Sequence, residues 1–153
     1  MEKRVLEDYT VGERLVTPAR TITEGDIVNF AAFTGDWHPL HTDVPYAATT
    51  PFGERIAHGM LVLSVGSALA FRLGAWVMLP RSFIAFYGMD RVRFTKPVKI
   101  GDTLRLEAEV VSIENKDEQR GVLTWDGRIL NQRDESCCLY VMKLLCGRGE
   151  RTV

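Results

Sequence analysis

An uncharged and mostly apolar stretch from Gly59 to Phe71, which ends at Arg72, restricts the possible folds more than any other feature of the chain. Its apolar residues recur on nearly every side of a helix, and small residues lie between them: Gly66, Ser67, Ala68 and Ala70. A helix that is apolar nearly all round belongs in a core, and this stretch is too short to span a bilayer. We therefore predict a buried helix from about His58 to Leu73, closely approached by other elements.

The chain after Pro80 shows the patterns of strands. Residues 104–110 read Leu-Arg-Leu-Glu-Ala-Glu-Val, and this alternation of apolar and charged residues is typical of a strand with one buried face. The segments 84–95, 120–130 and 136–146 are rich in aliphatic and aromatic residues and are predicted to be extended as well. Helices followed by an antiparallel meander indicate an α+β fold, with the sheet wrapped around the buried helix.

The region before the central helix is predicted to hold a strand, a helix and a long loop. A weak alternation over 13–22 indicates the strand. Thr23 is the predicted N-cap of a helix that ends at Thr34-Gly35. Residues 36–57 contain three prolines and are predicted to be irregular, apart from one helical turn around 44–48, as loops that carry function often are.

The composition is that of a soluble globular protein, with 46% hydrophobic and 25% charged residues. One domain over residues 1–153 is expected, because no repeat or linker occurs. The net charge of -1 does not indicate sequence-independent binding of nucleic acid, which needs a surplus of basic residues. The basic residues are 14 Arg and 5 Lys, a bias that suits contacts with an anionic small molecule.

All three histidines, His38, His41 and His58, lie within one segment of twenty-one residues. Asp36 precedes His41 by five residues, on a loop that Pro39 stiffens. A carboxylate and an imidazole in such an arrangement can hold one water between them and move protons near neutral pH. The residues alone also fit a capping aspartate and a packed histidine.

A metal site built from Asp36 and the three histidines is a further possibility, because carboxylate and imidazole suit Zn or Fe. We expect no metal, because Pro39 is predicted to keep His38 and His41 from forming a helical ligand pair.

The motif Gly-Asp-Trp-His-Pro-Leu-His at 35–41 is followed about twenty residues later by His-Gly-Met-Leu at 58–61. Together with Phe-Thr-Lys-Pro-Val-Lys-Ile-Gly-Asp-Thr-Leu at 94–104, these motifs resemble the MaoC-like, (R)-specific enoyl-CoA hydratase family, roughly from Val11 to Leu145. The resemblance implies the hotdog fold, a long central helix wrapped by an antiparallel β-sheet. It also implies a lyase that adds water reversibly and syn to a trans-2-enoyl-CoA, giving a (3R)-3-hydroxyacyl-CoA.

Residue by residue, the resemblance places Asp36 and His41 on the catalytic pair of that family and Gly59 on its oxyanion position. One member of the pair takes a proton from water while the other supplies one to Cα; we favour Asp36 as the base and His41 as the acid, although the sequence does not separate them. The N–H of Gly59 at a helix N-terminus suits the enolate-like oxygen, and glycine leaves room for the thioester. No cofactor is expected beyond the CoA of the substrate.

Four more residues are candidate substrate contacts. His38 stands where the hydratases usually carry Asn, which affects substrate identity more than fold. His58 is expected at the helix start and Ser67 two turns further on, and Arg55 is one of several cations available to CoA phosphates. For each of them a purely structural role stays open.

Thioester hydrolysis and acyl-thioester binding without turnover are the alternative functions for the same fold. The expected partners are an acyl-CoA thioester and a second copy of the chain, in a homodimer or a dimer of dimers that pairs sheet edges. No nucleic acid or membrane partner is expected. A cytoplasmic location is expected, because no secretory signal is evident and the cysteines read as buried, reduced thiols: Cys137, Cys138 and Cys146.

Overall fold

Four helices and two short strands precede four long strands in the computed structural model of the protein, which describes residues 1–149. The expected domain is therefore seen from 1 to 149, and 150–153 lie outside the described residues. The strands are β1 Arg14–Val16, β2 Arg20–Thr21, β3 Phe83–Phe94, β4 Thr103–Asn115, β5 Arg120–Leu130 and β6 Ser136–Gly147. The helices are α1 Glu24–Thr34, α2 Pro39–Thr42, α3 Val44–Ala48 and α4 Gly59–Ala68, with 3-10 turns at Leu6–Asp8 and Leu69–Leu73.

One antiparallel sheet in the order β1-β4-β5-β6-β3 forms the scaffold, and β2 pairs with β4. The sheet packs against α4, and the two enclose the core: Leu106, Leu123, Trp125, Ile129, Tyr140 and Leu144 are all nearly or fully buried. Gly66 allows this approach, because a Cβ at that position would overlap the side chain of Ile129 on β5. The α+β class and the hotdog arrangement of helix and sheet are confirmed.

The helix predicted after Thr23 is confirmed at both ends. The N–H of Asp26 donates to Thr23 Oγ1 at 3.2 Å, and the N–H of Thr23 donates to Asp26 Oδ2 at 2.8 Å, which completes a capping box. Gly35 ends the helix with φ of 81°, in the left-handed region that favours glycine. This end point places Asp36 directly beyond the last turn of α1.

The central helix differs from the prediction in two ways. It is not buried all round: Met60 is 56% exposed and Phe71 52%. The sheet covers one side of α4, while Met60, Ser64 and Ala68 on the helix are exposed. The last expected turns, from Leu69, are a 3-10 helix rather than an α-helix.

The four long strands and the turn around 44–48 lie where the sequence predicted them, to within a few residues, and the strand expected over 13–22 is split into β1 and β2. The three cysteines are buried and unpaired, and burial raises the pKa of Cys138 to about 11 and that of Cys146 to about 12. Within residues 1–149, no helix is both long and apolar enough to cross a membrane.

Candidate active site

The segment between α1 and α4 is held in shape by polar side chains that bond to nearby backbone. Asp36 Oδ1 accepts from the N–H of His38 at 3.2 Å, and Asp43 Oδ1 accepts from the N–H of Tyr46 at 2.9 Å as the N-cap of α3. The N–H of Ala57 donates to the carbonyl of Val98 at 2.7 Å. These bonds fix the loop on both sides of the histidines.

The segment around Pro39, which was predicted to be irregular, is instead a short helix. Pro39 is the first residue of α2, and His38 is its N-cap, with His38 Nδ1 accepting from the N–H of Leu40 at 3.1 Å. Proline fits the first position of a helix because the N–H it lacks has no partner there in any case. The short helix carries His41 back toward Asp36.

Asp36, His41 and His58 form one cluster. A carboxylate oxygen of Asp36 and one nitrogen from each imidazole lie within 4.8 Å of one another. Asp36 is exposed, His41 is half-buried and His58 is only 2% exposed. A water about 2.8 Å from each of two such atoms spans that gap, so Asp36 and His41 are placed to share one.

The hydrogen bond between His41 and Ile56 determines which ring nitrogen of His41 carries the proton. His41 Nδ1 lies 2.7 Å from the carbonyl oxygen of Ile56, and because a carbonyl only accepts, Nδ1 carries the proton. Burial lowers the pKa of His41, and the neighbouring His58 adds to that effect, although the bond to Ile56 opposes it. Neutral His41 therefore presents Nε2 as a proton acceptor.

His58 lies beneath this pair. Its Nε2–H donates to the main-chain carbonyl of Asp36 at 2.9 Å, and its ring stacks on that of His41 with centroids 3.9 Å apart and planes 28° apart. Phe30 packs at 4.8 Å from the ring of His58. His58 Nδ1 is buried and has no hydrogen-bond partner among the described residues.

A metal ion does not fit this donor set well. The free nitrogens are His41 Nε2 and His58 Nδ1, on rings that are stacked 3.9 Å apart. Rings so nearly parallel do not both hold one ion in their planes at about 2.0–2.1 Å, the usual Zn–N distance. His38 does not complete the set, because it lies outside the group of side chains whose donor atoms come within 4.8 Å of one another.

Gly59 begins α4 and lines an open groove of about 400 Å³, together with Ile56 and Phe94. A Cβ on Gly59 would be 3.0 Å from three ring atoms of Phe94, so any other residue there would have to displace that ring by a few tenths of an ångström. His58 makes no side-chain cap bond to the helix, which leaves the first N–H groups of α4 without that partner.

The other expected substrate contacts lie outside the three-residue cluster. Arg55 Nη1 donates to Glu24 Oε1 at 2.8 Å, an ion pair across to the start of α1. The hydroxyl of Ser67 donates to the carbonyl of Ser64 at 3.4 Å within α4. His38 is exposed, with its ring 6.3 Å from that of His41.

Comparison with known proteins identifies this arrangement. The model of the MaoC-like domain family matches residues 7–130. The chain belongs to the MaoC-like domain family. The match includes the whole cluster and the central helix, so these residues stand in a MaoC-like domain.

Two curated relatives and one solved structure are similar to this MaoC-like chain. Protein MaoC of Klebsiella aerogenes is 37% identical over 82% of the chain, but the chain spans only 37% of that protein. The (R)-specific enoyl-CoA hydratase of Rhodospirillum rubrum is 40% identical over 70% of the chain and 69% of the relative. The structure of an Archaeoglobus protein described as a monoamine oxidase regulatory protein is 40% identical, with a TM-score of 0.89 over 96% of both chains.

Proposed function

We propose that this MaoC-like protein is a hydro-lyase, an (R)-specific enoyl-CoA hydratase/dehydratase. It adds water reversibly and syn to a trans-2-enoyl-CoA and forms a (3R)-3-hydroxyacyl-CoA. The observation that carries the proposal is that a carboxylate oxygen of Asp36 and a ring nitrogen of His41 lie within 4.8 Å of each other, while the bond from His41 Nδ1 to Ile56 leaves Nε2 unprotonated. The (R)-specific hydratase name of a relative 40% identical supports it.

The pair orients water because both of its members are acceptors. One water hydrogen points to a carboxylate oxygen of Asp36 and the other to His41 Nε2, which leaves the oxygen lone pairs free to face the substrate. Asp36 and His41 are the catalytic residues of this proposal. A single face of the double bond lies against them, which accounts for syn addition.

In this proposal His41 acts as base and then as acid, in place of the roles that we favoured from the sequence, because its Nδ1–H is held by Ile56 and its Nε2 is left as an acceptor. As the water oxygen bonds to Cβ, His41 Nε2 takes the proton, and the π electrons move through Cα to the thioester oxygen. The imidazolium, stabilised by Asp36, then returns that proton to Cα on the same face of the substrate. As Cα takes the proton, the enolate-like electrons return to Cα and the thioester carbonyl re-forms. The enzyme is left unchanged, Cβ carries the hydroxyl group of the added water, and Cα carries its proton.

The oxyanion role falls to the backbone at the start of α4. Charge builds on the thioester oxygen during the addition, and the N–H groups at a helix N-terminus favour negative charge. Gly59 is the first residue of α4 and offers its N–H there. Phe94, which packs on Gly59, forms a wall of the same groove.

His38, Ser67 and Arg55 complete the proposed site as substrate contacts. His38 is the exposed neighbour of the pair, and Ser67 is partly exposed on α4. Arg55 is available to a CoA phosphate if it exchanges Glu24 for the stronger anion. No metal and no cofactor other than the CoA of the substrate is needed, and we place the reaction in the cytoplasm.

A homodimer, or a dimer of such dimers, is the proposed assembly. The strand β3 is the last in the sheet, and its apolar side chains are exposed, with Ile84 at 50% and Phe86 at 55%. Exposed apolar edge strands pair with other chains. Sedimentation at micromolar concentration tests this: twice the 17.2 kDa of one chain or more is expected, and a monomer contradicts it.

The activity is tested with crotonyl-CoA and the purified protein. The conjugated thioester absorbs in the ultraviolet, so hydration is expected to bleach the absorbance without releasing free thiol, and chiral analysis is expected to give the (3R) product. Thiol release indicates a thioester hydrolase instead. Calorimetric binding without either signal indicates an acyl-thioester-binding protein, and both results contradict the hydratase.

A further inference from the structure

His58 occupies a position where an imidazole is costly. It is 2% exposed, and its Nδ1 lies buried without a hydrogen-bond partner within residues 1–149. A buried polar atom left unpaired costs about 1–3 kcal/mol. Phenylalanine or leucine would fill the same space without that cost.

The two contacts of His58 explain what the ring and its N–H supply. The Nε2–H holds the main-chain carbonyl of Asp36 at 2.9 Å, immediately beside the side chain that faces the water. The ring face stacks on His41 with centroids 3.9 Å apart. The rigid imidazole of His58 therefore contacts both members of the catalytic pair.

Each contact needs a different property of histidine. A phenyl ring keeps the stacking and loses the bond to Asp36, whereas a glutamine keeps an N–H at a similar reach and loses the stacking. Only an imidazole joins the two. His41 itself is fixed from its other side by Ile56, so the stacking on His58 completes the definition of its ring plane.

We propose that His58 is a positioning residue that sets the distance and orientation between the Asp36 carboxylate and His41 Nε2. The inference rests on the proposed hydratase function. His58 does not touch the substrate in this account, which replaces the substrate contact expected from the sequence.

The stacked rings also link the charge of His41 to its neighbour. The titratable groups that face His41 are Asp36, His38 and His58, and His58 lowers the pKa of His41, in addition to burial. Removal of the His58 imidazole is therefore expected to make protonation of His41 easier. A side chain that served only to fill space has no such effect.

The kinetic test compares His58→Phe and His58→Gln with Phe30→Leu, which removes packing from the side of His58 that Phe30 covers. Both His58 variants are expected to lower kcat by about 10²-fold, the size of effect that a misplacement near 1 Å produces, with KM little changed. Phe30→Leu is expected to lower the melting temperature and leave kcat near that of the wild type. Wild-type kcat in both His58 variants overturns the proposal.

A second readout does not depend on turnover. The Cε1–H signal of His41 is followed against pH by nuclear magnetic resonance, in the wild type and in both His58 variants. The midpoint is expected to move to higher pH when the second imidazole is removed, while Phe30→Leu keeps the wild-type midpoint. An unchanged midpoint in both variants overturns the proposal, whereas an inactive wild type that shows the shift overturns only the hydratase function.

Discussion

The sheet and the loop between α1 and α4 are built by different means. The strands β4 to β6 pair over ten or more residues, with buried side chains alternating along most of β4 and β6, and β5 buries Leu123 and Trp125 almost completely. The loop from 35 to 58 buries little and is shaped by individual side chains that bond to backbone. The scaffold is therefore held by many apolar contacts at once, whereas the shape of the loop depends on individual hydrogen bonds.

The polar residues of the loop also serve two purposes at once. Asp36 holds the N–H of His38 while its carboxylate faces the cluster, and His41 bonds to Ile56 with one nitrogen and leaves the other free. A substitution in the loop is therefore expected to affect chemistry without unfolding the sheet. A substitution in the core is expected to do the reverse, and the predictions below test this division.

The largest expected effect is on turnover in Asp36→Asn and His41→Ala. Each variant is expected to lower kcat/KM for crotonyl-CoA by about 10²–10⁴-fold, the usual contribution of a general acid or base, because Asp36→Asn removes the charge that stabilises the imidazolium and His41→Ala removes the base. The melting temperature is expected to stay near that of the wild type. Turnover near wild-type level in either variant contradicts the pair.

A core substitution supplies the opposite case. Trp125→Ala removes an indole on β5 that is 1% exposed, packs edge-to-face on Tyr9 and donates to the carbonyl of Met78 at 3.2 Å. The free energy of unfolding is expected to fall by about 3–5 kcal/mol, as measured by urea titration. The protein that remains folded is expected to keep its kcat, and a large loss of kcat with little loss of stability contradicts the division.

The pH dependence of kcat/KM tests the protonation state of His41, which lies in the loop. The lowered pKa of His41, which burial causes, means that Nε2 stays an acceptor until the pH falls below the ordinary value of about 6.5. The acid limb of kcat/KM is therefore expected to have a midpoint below 6.5 and to disappear in His41→Ala, measured in buffers of constant ionic strength. A midpoint above 6.5 contradicts a neutral His41.

The same shift contributes to stability with a definite sign. Because the pKa of His41 is lower in the folded chain, the unfolded chain binds more protons between the two values, and stability rises with pH in that window. The contribution is present above the unfolded value near 6.5 and is lost as pH falls toward the folded one. Wild type and His41→Ala, compared by denaturant titration at several pH values, show whether this difference exists.

The smallest expected effect comes from the N-cap of α1. Thr23→Ala removes the hydroxyl that accepts from Asp26 at 3.2 Å, and is expected to lower the free energy of unfolding by about 1 kcal/mol. Thr21→Ala, in an exposed pair with Thr103, is the matched control with a smaller expected effect. Equal losses in the two variants contradict the capping role.

The regular part of the fold was open to prediction because it follows local rules. Period-two alternation located β4, aliphatic and aromatic richness located the other three long strands, and Thr23 and Gly35 marked the ends of α1, since these signals lie in neighbouring residues. Pro39 misled because its effect depends on where a helix starts, and the short α2 around it has no periodicity. The half-exposed α4 could not be foreseen, because one chain does not reveal what covers its other side.

The site was open to prediction only in part, and for the same reason. The spacing of Asp36 and His41 suggested the pair, but the bond from His41 to Ile56 spans fifteen residues and that from His58 to Asp36 spans twenty-two. Such contacts depend on the tertiary fold. The ring of Phe94 over Gly59 is likewise a contact between distant segments, and no local pattern records it.

The central claim is that Asp36 and His41 deliver both parts of one water to the same face of the substrate. Hydration of crotonyl-CoA in deuterium oxide, followed by magnetic resonance analysis of the 3-hydroxybutyryl product, tests it directly. We predict one deuterium at C2, on the same side as the new hydroxyl, and the (3R) configuration at C3. Deuterium on the opposite side, or divided between the two, means that water and proton arrive from different places and contradicts the account.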